Sequence, residues 1–173
     1  MPRIRYQVAV SLDGYIAGPK GEADWIIMDP EIDFGALFAQ FDTFIMGRRT
    51  FETAGAMATS ASGAKTFVFS RFLEPENHPG ITIVPEVTTA TVAPIRAQAT
   101  KDIWLFGGGV LFRSFLDAGL VDTVEVGIIP VLLGGGVPLL PHPAQQTRLA
   151  LRSHRTYKSG IVFLEYEVSR PAA

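Results

Sequence analysis

The sequence predicts an α/β fold built on a mostly parallel sheet, with an antiparallel hairpin at its C-terminal end. Three observations carry that prediction. Short apolar runs alternate with amphipathic stretches along most of the chain, and strands that alternate with helices pair in parallel. The runs at 43–46, 66–69 and 103–106 are apolar-rich without a period of two, as strands buried on both faces are. The last segment instead sets two strand-like runs, 148–157 and 161–168, around Lys158-Ser159-Gly160, which reads as a hairpin.

The elements follow in order. Ile4, Tyr6, Val8 and Val10 alternate with Arg3, Arg5, Gln7 and Ala9, giving a period-two first strand. It ends in Ser11-Leu12-Asp13-Gly14, and residues 15–21 read as a loop rich in turn formers. Asp29-Pro30 reads as an N-cap and first helical position, because proline lacks the N–H that a first turn leaves unpaired. Phe34, Leu37, Phe38 and Phe41 stand at helical spacing, so a helix is expected to run to about Phe41. The strand at 43–46 runs into Gly47-Arg48-Arg49-Thr50-Phe51-Glu52. Residues 54–64 are small and polar and are expected to form a surface excursion. Strands follow at 66–69 and 81–84, then a helix over 89–99 whose start Pro94 blurs.

Next, the buried run 103–106 enters Gly107-Gly108-Gly109. Leu111, Phe112, Phe115 and Leu116 then share one helical face, and Gly119 sits where a helix stops. Val124, Val126 and Ile128 mark another strand, and residues 130–143 form a Gly/Pro-rich loop around Gly134-Gly135-Gly136.

Composition narrows the function classes. A hydrophobic fraction of 47% against 18% charged is a globular balance, and one domain over residues 1–173 is expected. The net charge of −2, with no dense basic run, argues against a nucleic-acid partner. The absence of cysteine excludes disulfides, thiol nucleophiles and Cys–zinc sites. No apolar run reaches the roughly 18 residues of a membrane span, and the N-terminus reads as a strand, not a signal peptide. A cytoplasmic protein without a membrane partner is expected. His78, His142 and His154 lack metal-ligand spacing, so no metal site is expected.

Four junctions follow strands directly: Asp13-Gly14, Gly47-Arg48, Ser70-Arg71 and Gly107-Gly108-Gly109. If the strands are parallel, these share the sheet edge where open α/β sheets bind ligands. The glycine turn opens a helix, and a helix N-terminus favours an anion through its free N–H groups and dipole. A plain structural turn is the competing reading. No Walker A sequence exists, and Phe112 stands where the dinucleotide fingerprint needs a third glycine. Arg48, Arg49 and Arg71 are either solvated bases or phosphate ligands. Asp13 is either a turn residue or the first substrate-side candidate. Asp33 either favours the helix dipole or, with a raised pKa, supplies a proton. Trp25 and Phe51 are aromatic candidates for the substrate side, with core packing as the alternative for Trp25. No nucleophile elbow appears.

Four motifs then come together. Val8-Ala9-Val10-Ser11-Leu12-Asp13-Gly14-Tyr15-Ile16-Ala17, Phe44-Ile45-Met46-Gly47-Arg48-Arg49-Thr50-Phe51-Glu52, Trp104-Leu105-Phe106-Gly107-Gly108-Gly109 and Pro130-Val131-Leu132-Leu133-Gly134-Gly135-Gly136-Val137-Pro138-Leu139 spread over nearly the whole chain. In that order they resemble the dihydrofolate reductase superfamily. The likeness is greater to the reductase domain of bacterial riboflavin biosynthesis (the RibD C-terminal domain) and its stand-alone relatives. The resemblance implies a three-layer fold around a mixed sheet of about eight strands, a homodimer and bound NADPH. It implies that Gly47, Arg48, Arg49 and Thr50 meet the adenosine phosphates, with Arg48 on the 2′-phosphate and Thr50 on the pyrophosphate. Ser70 and Arg71 would lie at the adenosine end. Gly107, Gly108, Gly109, Val110 and Leu111 would cradle the pyrophosphate, and Ala9 and Ile16 would flank the nicotinamide. Asp13 and Asp33 would be the catalytic candidates.

The implied reaction is hydride transfer to a C=N or C=O carbon, with 5-amino-6-(5-phosphoribosylamino)uracil the best named substrate. Dihydrofolate reduction is one alternative and a non-catalytic NADPH-binding or ligand-sensing protein another. Two departures stand out. Ile32 holds the position of the folate enzymes' helix carboxylate, with Glu31 and Asp33 on either side. The arginines that hold a ribose phosphate in riboflavin-type reductases have no clear counterpart. No deaminase domain precedes the motifs, so a single-activity form is expected.

Overall fold

A computed structural model describes residues 1–59 and 63–169; residues 60–62, part of the expected excursion, and 170–173 lie outside the description. The strands are β1 (Ile4–Ser11), β2 (Tyr15–Ala17), β3 (Phe41–Gly47), β4 (Lys65–Phe69), β5 (Thr82–Val84), β6 (Asp102–Gly107), β7 (Thr123–Ile129), β8 (Val137–Pro138), β9 (Leu149–Thr156) and β10 (Val162–Val168). The helices are α1 (Phe34–Phe38), α2 (Arg48–Thr59), α3 (Thr89–Gln98) and α4 (Gly109–Asp117).

Eight strands form one sheet in the order β5-β4-β3-β6-β1-β7-β10-β9. The first six are mutually parallel, and the C-terminal hairpin adds two antiparallel strands. The mostly parallel sheet and the closing hairpin therefore stand as the alternation of runs predicts. β2 and β8 pair separately as a small antiparallel ribbon.

The sheet divides two apolar cores. On one face Ile4, Tyr6 and Val10 of β1, Ile45 of β3 and Leu105 of β6 meet Val92 and Ile95 of α3 and Phe112 and Phe115 of α4. Tyr6 stacks on Phe112, with ring centroids 3.8 Å apart. On the other face Phe44, Met46 and Trp104 meet Leu37 and Phe38 of α1 and Phe51 of α2. This makes three layers, with α2 and α4 starting directly after β3 and β6 at the C-terminal edge of the sheet.

The structure corrects three expectations. The first helix is short and is capped by Asp33, whose carboxylate accepts from the Ala36 amide at 2.9 Å. Asp29 caps nothing; it forms a turn, accepting from the Glu31 amide at 2.8 Å. Leu37, Phe38 and Phe41 do share a core, but Phe41 reaches it as the first residue of β3. A helical period was thus mimicked by a short helix followed by a strand. Second, α2 runs through much of the expected excursion. Alanines favour helix, and Arg48 and Glu52 pair at i, i+4 with 3.0 Å between them. Third, the stretches 15–17 and 137–138, expected as loop, form the β2–β8 ribbon. Over 89–98 the helix forms despite the internal Pro94, its start fixed by reciprocal capping between Thr88 and Thr91.

Candidate active site

Because β1, β3, β4 and β6 are parallel, the four junctions after them reach one sheet edge. Two of them touch. A Cβ placed on Gly108 would lie 3.4 Å from the Thr50 hydroxyl, and one placed on Gly47 would lie 3.9 Å from the Gly107 carbonyl. The first turn of α2 and the glycine turn before α4 are therefore in contact. Gly108 is the N-cap of α4 and has no side chain to cap it, so the first-turn N–H groups are left to an external acceptor. The Gly107–Gly108 peptide is cis. A Cβ on Gly109 would stand 2.6 Å from the Pro138 carbonyl oxygen, so β8 closes on the helix start only because glycine is there. Arg48 is half-buried, and Arg49 and Arg71 are exposed.

The β1–β2 turn is held by Asp13. Its carboxylate accepts from the Ser11 hydroxyl at 2.6 Å, from the Leu133 amide at 3.1 Å and from the Gly134 amide at 2.7 Å. The Leu12 amide donates to Val131, and the Leu139 amide donates to Gly14. Two loops far apart in sequence are thereby latched beside the glycine turn. The Ser11 hydroxyl above all, and then the Leu133 and Gly134 amides, hold the Asp13 carboxyl below the usual carboxylate range. A carboxylate so held is an acceptor at neutral pH, not a proton donor.

The second-core face of the sheet supplies a floor. Arg5 and Glu125 are buried and joined by two bonds of 2.7 Å, and Thr123 donates to the same carboxylate at 2.7 Å. Arg5 also reaches Gln40, just beyond α1, at 2.8 Å, and lies 4.7 Å over the Phe41 ring. One step along the strands, Gln7 stands opposite Glu125 and Ala9 opposite Gly127. These three, Gln7, Ala9 and Gly127, are half-buried, so the face opens where the ion pair ends. α1 covers the β3–β6 side through Phe38, whose ring centroid is 5.1 Å from Trp104. On the other side Asp29, buried, accepts from the Ser159 amide at 3.2 Å and ties the long loop before α1 to the β9–β10 turn.

A family model described as the RibD C-terminal domain matches residues 2–71 and 54–163. The chain belongs to the RibD C-terminal domain family. YyaP of Bacillus subtilis (strain 168) is 35% identical over 95% of this chain and 94% of its own length. A crystal structure of a candidate riboflavin biosynthesis protein from Shewanella sp. PV-4 superposes with a TM-score of 0.80 at 26% identity, over 97% of this chain and 99% of that one. A dihydrofolate reductase from Enterococcus faecalis, in complex with NADP(H), superposes with a TM-score of 0.69 at 15% identity over 97% of each chain, a likeness of fold. The fold is thus dihydrofolate-reductase-like, as the four motifs imply.

Within this RibD-type domain the sequence-selected residues fall into three groups. Gly47, Arg48, Arg49, Thr50, Gly107, Gly108, Gly109 and Val110 surround the glycine turn, and Val110 is 62% exposed. Leu111 faces the core and offers only its backbone to the turn. Ser70 uses its hydroxyl to accept from the Phe72 and Leu73 amides, with Arg71 exposed between. Ala9 and Ile16 are half-buried on the β1–β2 side, beside the Asp13 latch. Other candidates stand apart. Trp25 donates its indole N–H to the Glu22 carbonyl within its own loop. Phe51 meets His78 edge-on at 5.5 Å and, with Asn77, Pro79 and Ile81, lines a groove of about 690 Å³ near the β5 edge. Asp33 is committed to the α1 cap.

Residue reasoning missed Gln7, the Arg5–Glu125 pair and the amides of Leu133 and Gly134. A charged residue within an otherwise buried strand, as Glu125 is in Val124-Glu125-Val126, was the available signal for a paired partner on a neighbouring strand. Among the described residues no cluster of His, Asp or Glu could hold a metal ion, and no helix is long and apolar enough to cross a membrane.

Proposed function

We propose that this RibD-type domain is an NADPH-dependent reductase acting in the cytoplasm on a small heterocyclic or ribosylamino substrate. The observation that carries the reading is the contact between the uncapped start of α4 and the basic start of α2 at one sheet edge. The residues fit the cofactor: free amides and a dipole suit a pyrophosphate, and Arg48 suits a 2′-phosphate. When bound, NADPH supplies the hydride.

The chain's own residues then bind, orient and enclose. Gly107, Gly108, Gly109 and the amides of Val110 and Leu111 hold the pyrophosphate together with Thr50, while Gly47, Arg48, Arg49, Ser70 and Arg71 receive the adenosine end. Ala9 and Ile16 flank the nicotinamide. The Asp13 latch keeps the β2–β8 ribbon closed beside it, which limits water at the reacting carbon. Asp13 borders the substrate end, whereas Asp33, Trp25 and Phe51 stand apart from it. Since the Asp13 carboxylate accepts from backbone amides, it orients the loops there, and the product proton comes from solvent. A second copy of the chain is proposed along β9, an edge strand whose Leu149 and Leu151 are 42% and 53% exposed; light scattering checks that stoichiometry.

The test is turnover. NADPH oxidation is followed by absorbance with 5-amino-6-(5-phosphoribosylamino)uracil and with dihydrofolate in parallel. Oxidation with the first substrate supports the proposal. Oxidation with dihydrofolate alone replaces it with a folate reductase, and NADPH binding with neither activity replaces it with a non-catalytic sensor.

A further inference from the structure

The floor of the cleft holds a polar atom without a partner. The Oε1 of Gln7 is buried and, among the described residues, has no hydrogen-bond partner. Its polar neighbours are already committed. Arg5 donates to Glu125 and Gln40, Thr123 donates to Glu125, and the Trp104 indole donates to the backbone carbonyl of Gln7 itself at 3.0 Å. An unpaired buried amide oxygen loses its hydration for no return, and native structures rarely keep one without a reason.

The surroundings suit a flat ligand. Gln7 shares its face of β1 with Arg5 and Ala9, opposite Ile4, Tyr6 and Val10 of the first core. Toward the open edge the next residues on that face are Ala9 and its cross-strand partner Gly127. Ala9 contributes only a methyl, and a Cβ placed on Gly127 would meet nothing nearer than Ile161 at 4.0 Å. Beneath lies an Arg5–Glu125 pair whose charges compensate each other.

We propose that Gln7 reads the substrate ring: its carboxamide pairs with a lactam edge, an N–H beside a C=O, of an uncharged planar heterocycle lying over Gly127, next to the nicotinamide that Ala9 flanks. A carboxamide presents a donor and an acceptor side by side, which matches a lactam in two parallel hydrogen bonds. With its nearest charges neutralised, the floor favours a neutral edge over an ionised one. This deepens the reductase reading and rests on it only in taking this face as the substrate side.

The test uses 6-aminouracil and its N,N′-dimethyl derivative as probes, with binding to the whole chain measured by calorimetry with and without NADPH. The native chain should prefer the parent probe by about tenfold or more. Gln7→Met, of similar shape, should remove that preference while leaving NADPH affinity unchanged. If Gln7→Met does not fold, Gln7→Leu, which likewise lacks both acceptor and donor, should remove the preference in the same way. Equal binding of the two probes by the native chain, or an undiminished preference in the variant, overturns the proposal. Loss of NADPH binding with the probe preference intact would instead count against the reductase reading alone.

Discussion

The Asp13 carboxylate accepts from the Gly134 amide at 2.7 Å, across 121 residues of sequence. That bond joins the turn after the central strand to the loop after β7, and the two loops together carry the β2–β8 ribbon. The carboxyl's pKa is lowered in the fold, first by Ser11 and then by the two loop amides. A carboxyl with a lowered folded pKa contributes stability above its unfolded pKa and loses it as pH falls through the folded one. The latch should therefore hold throughout the neutral range and open only in acid, below the ordinary aspartate value. The Gly134 amide resonance should titrate with that low midpoint, and Asp13→Asn should abolish the titration and lower turnover. A midpoint at or above the ordinary aspartate value would remove the latch.

Arg48 donates to the Glu52 carboxylate at 3.0 Å. An arginine–phosphate contact is worth about 1.5–3 kcal/mol, so Arg48→Ala should weaken NADPH by roughly ten- to a hundredfold and NADH far less. Glu52→Gln frees the guanidinium and should tighten NADPH modestly. Calorimetric titration with both cofactors checks this; equal losses for NADPH and NADH would show that Arg48 does not read the 2′-phosphate.

Glycine is required at one position of the central turn for steric reasons. Gly109→Ala places a Cβ 2.6 Å from the Pro138 oxygen. Displacing β8 should cost about 1–3 kcal/mol and loosen the turn, weakening NADPH as well. A Cβ on Gly135 would have nothing within 4 Å, so Gly135→Ala should change stability by less than about 0.5 kcal/mol. Denaturant unfolding of the two variants, side by side, gives the comparison.

The Arg5–Glu125 pair should behave as a buried unit. Arg5→Leu leaves the Glu125 carboxylate, 1% exposed, without its partner, and should cost about 3–5 kcal/mol. The double variant Arg5→Leu with Glu125→Leu should recover most of that loss. A double-mutant cycle in urea measures the coupling, and simple additivity would show that the two charges act independently.

Much of the frame was legible in the residues because strand burial is a strong signal. Runs such as 103–106 and 66–69 are apolar on both sides, so β6 and β4 could be placed and their direction inferred from the helices between. Gly119 stops α4 with φ +67°, as its position after the apolar face foretells. Local periodicity was less reliable at Phe41, where a strand continued the spacing of a helix, and over α2, whose small residues and Gly55 read as a surface excursion. At the candidate site, the glycine and arginine junctions were legible as positions because they stand next to strand ends. The latch was not, since its acceptor and donors lie 120 and 121 residues apart and amide donors leave no trace in sequence. Gln7 was hidden because a polar residue in a period-two strand usually faces solvent.

The central claim is that the edge formed by α2 and α4 is an NADPH site. Calorimetric titration of the native chain with NADPH and NADH tests it most directly. Saturable binding of NADPH is expected, tighter than NADH by about tenfold or more through the 2′-phosphate. No heat from NADPH at millimolar concentration, with the chain folded by circular dichroism, would contradict it.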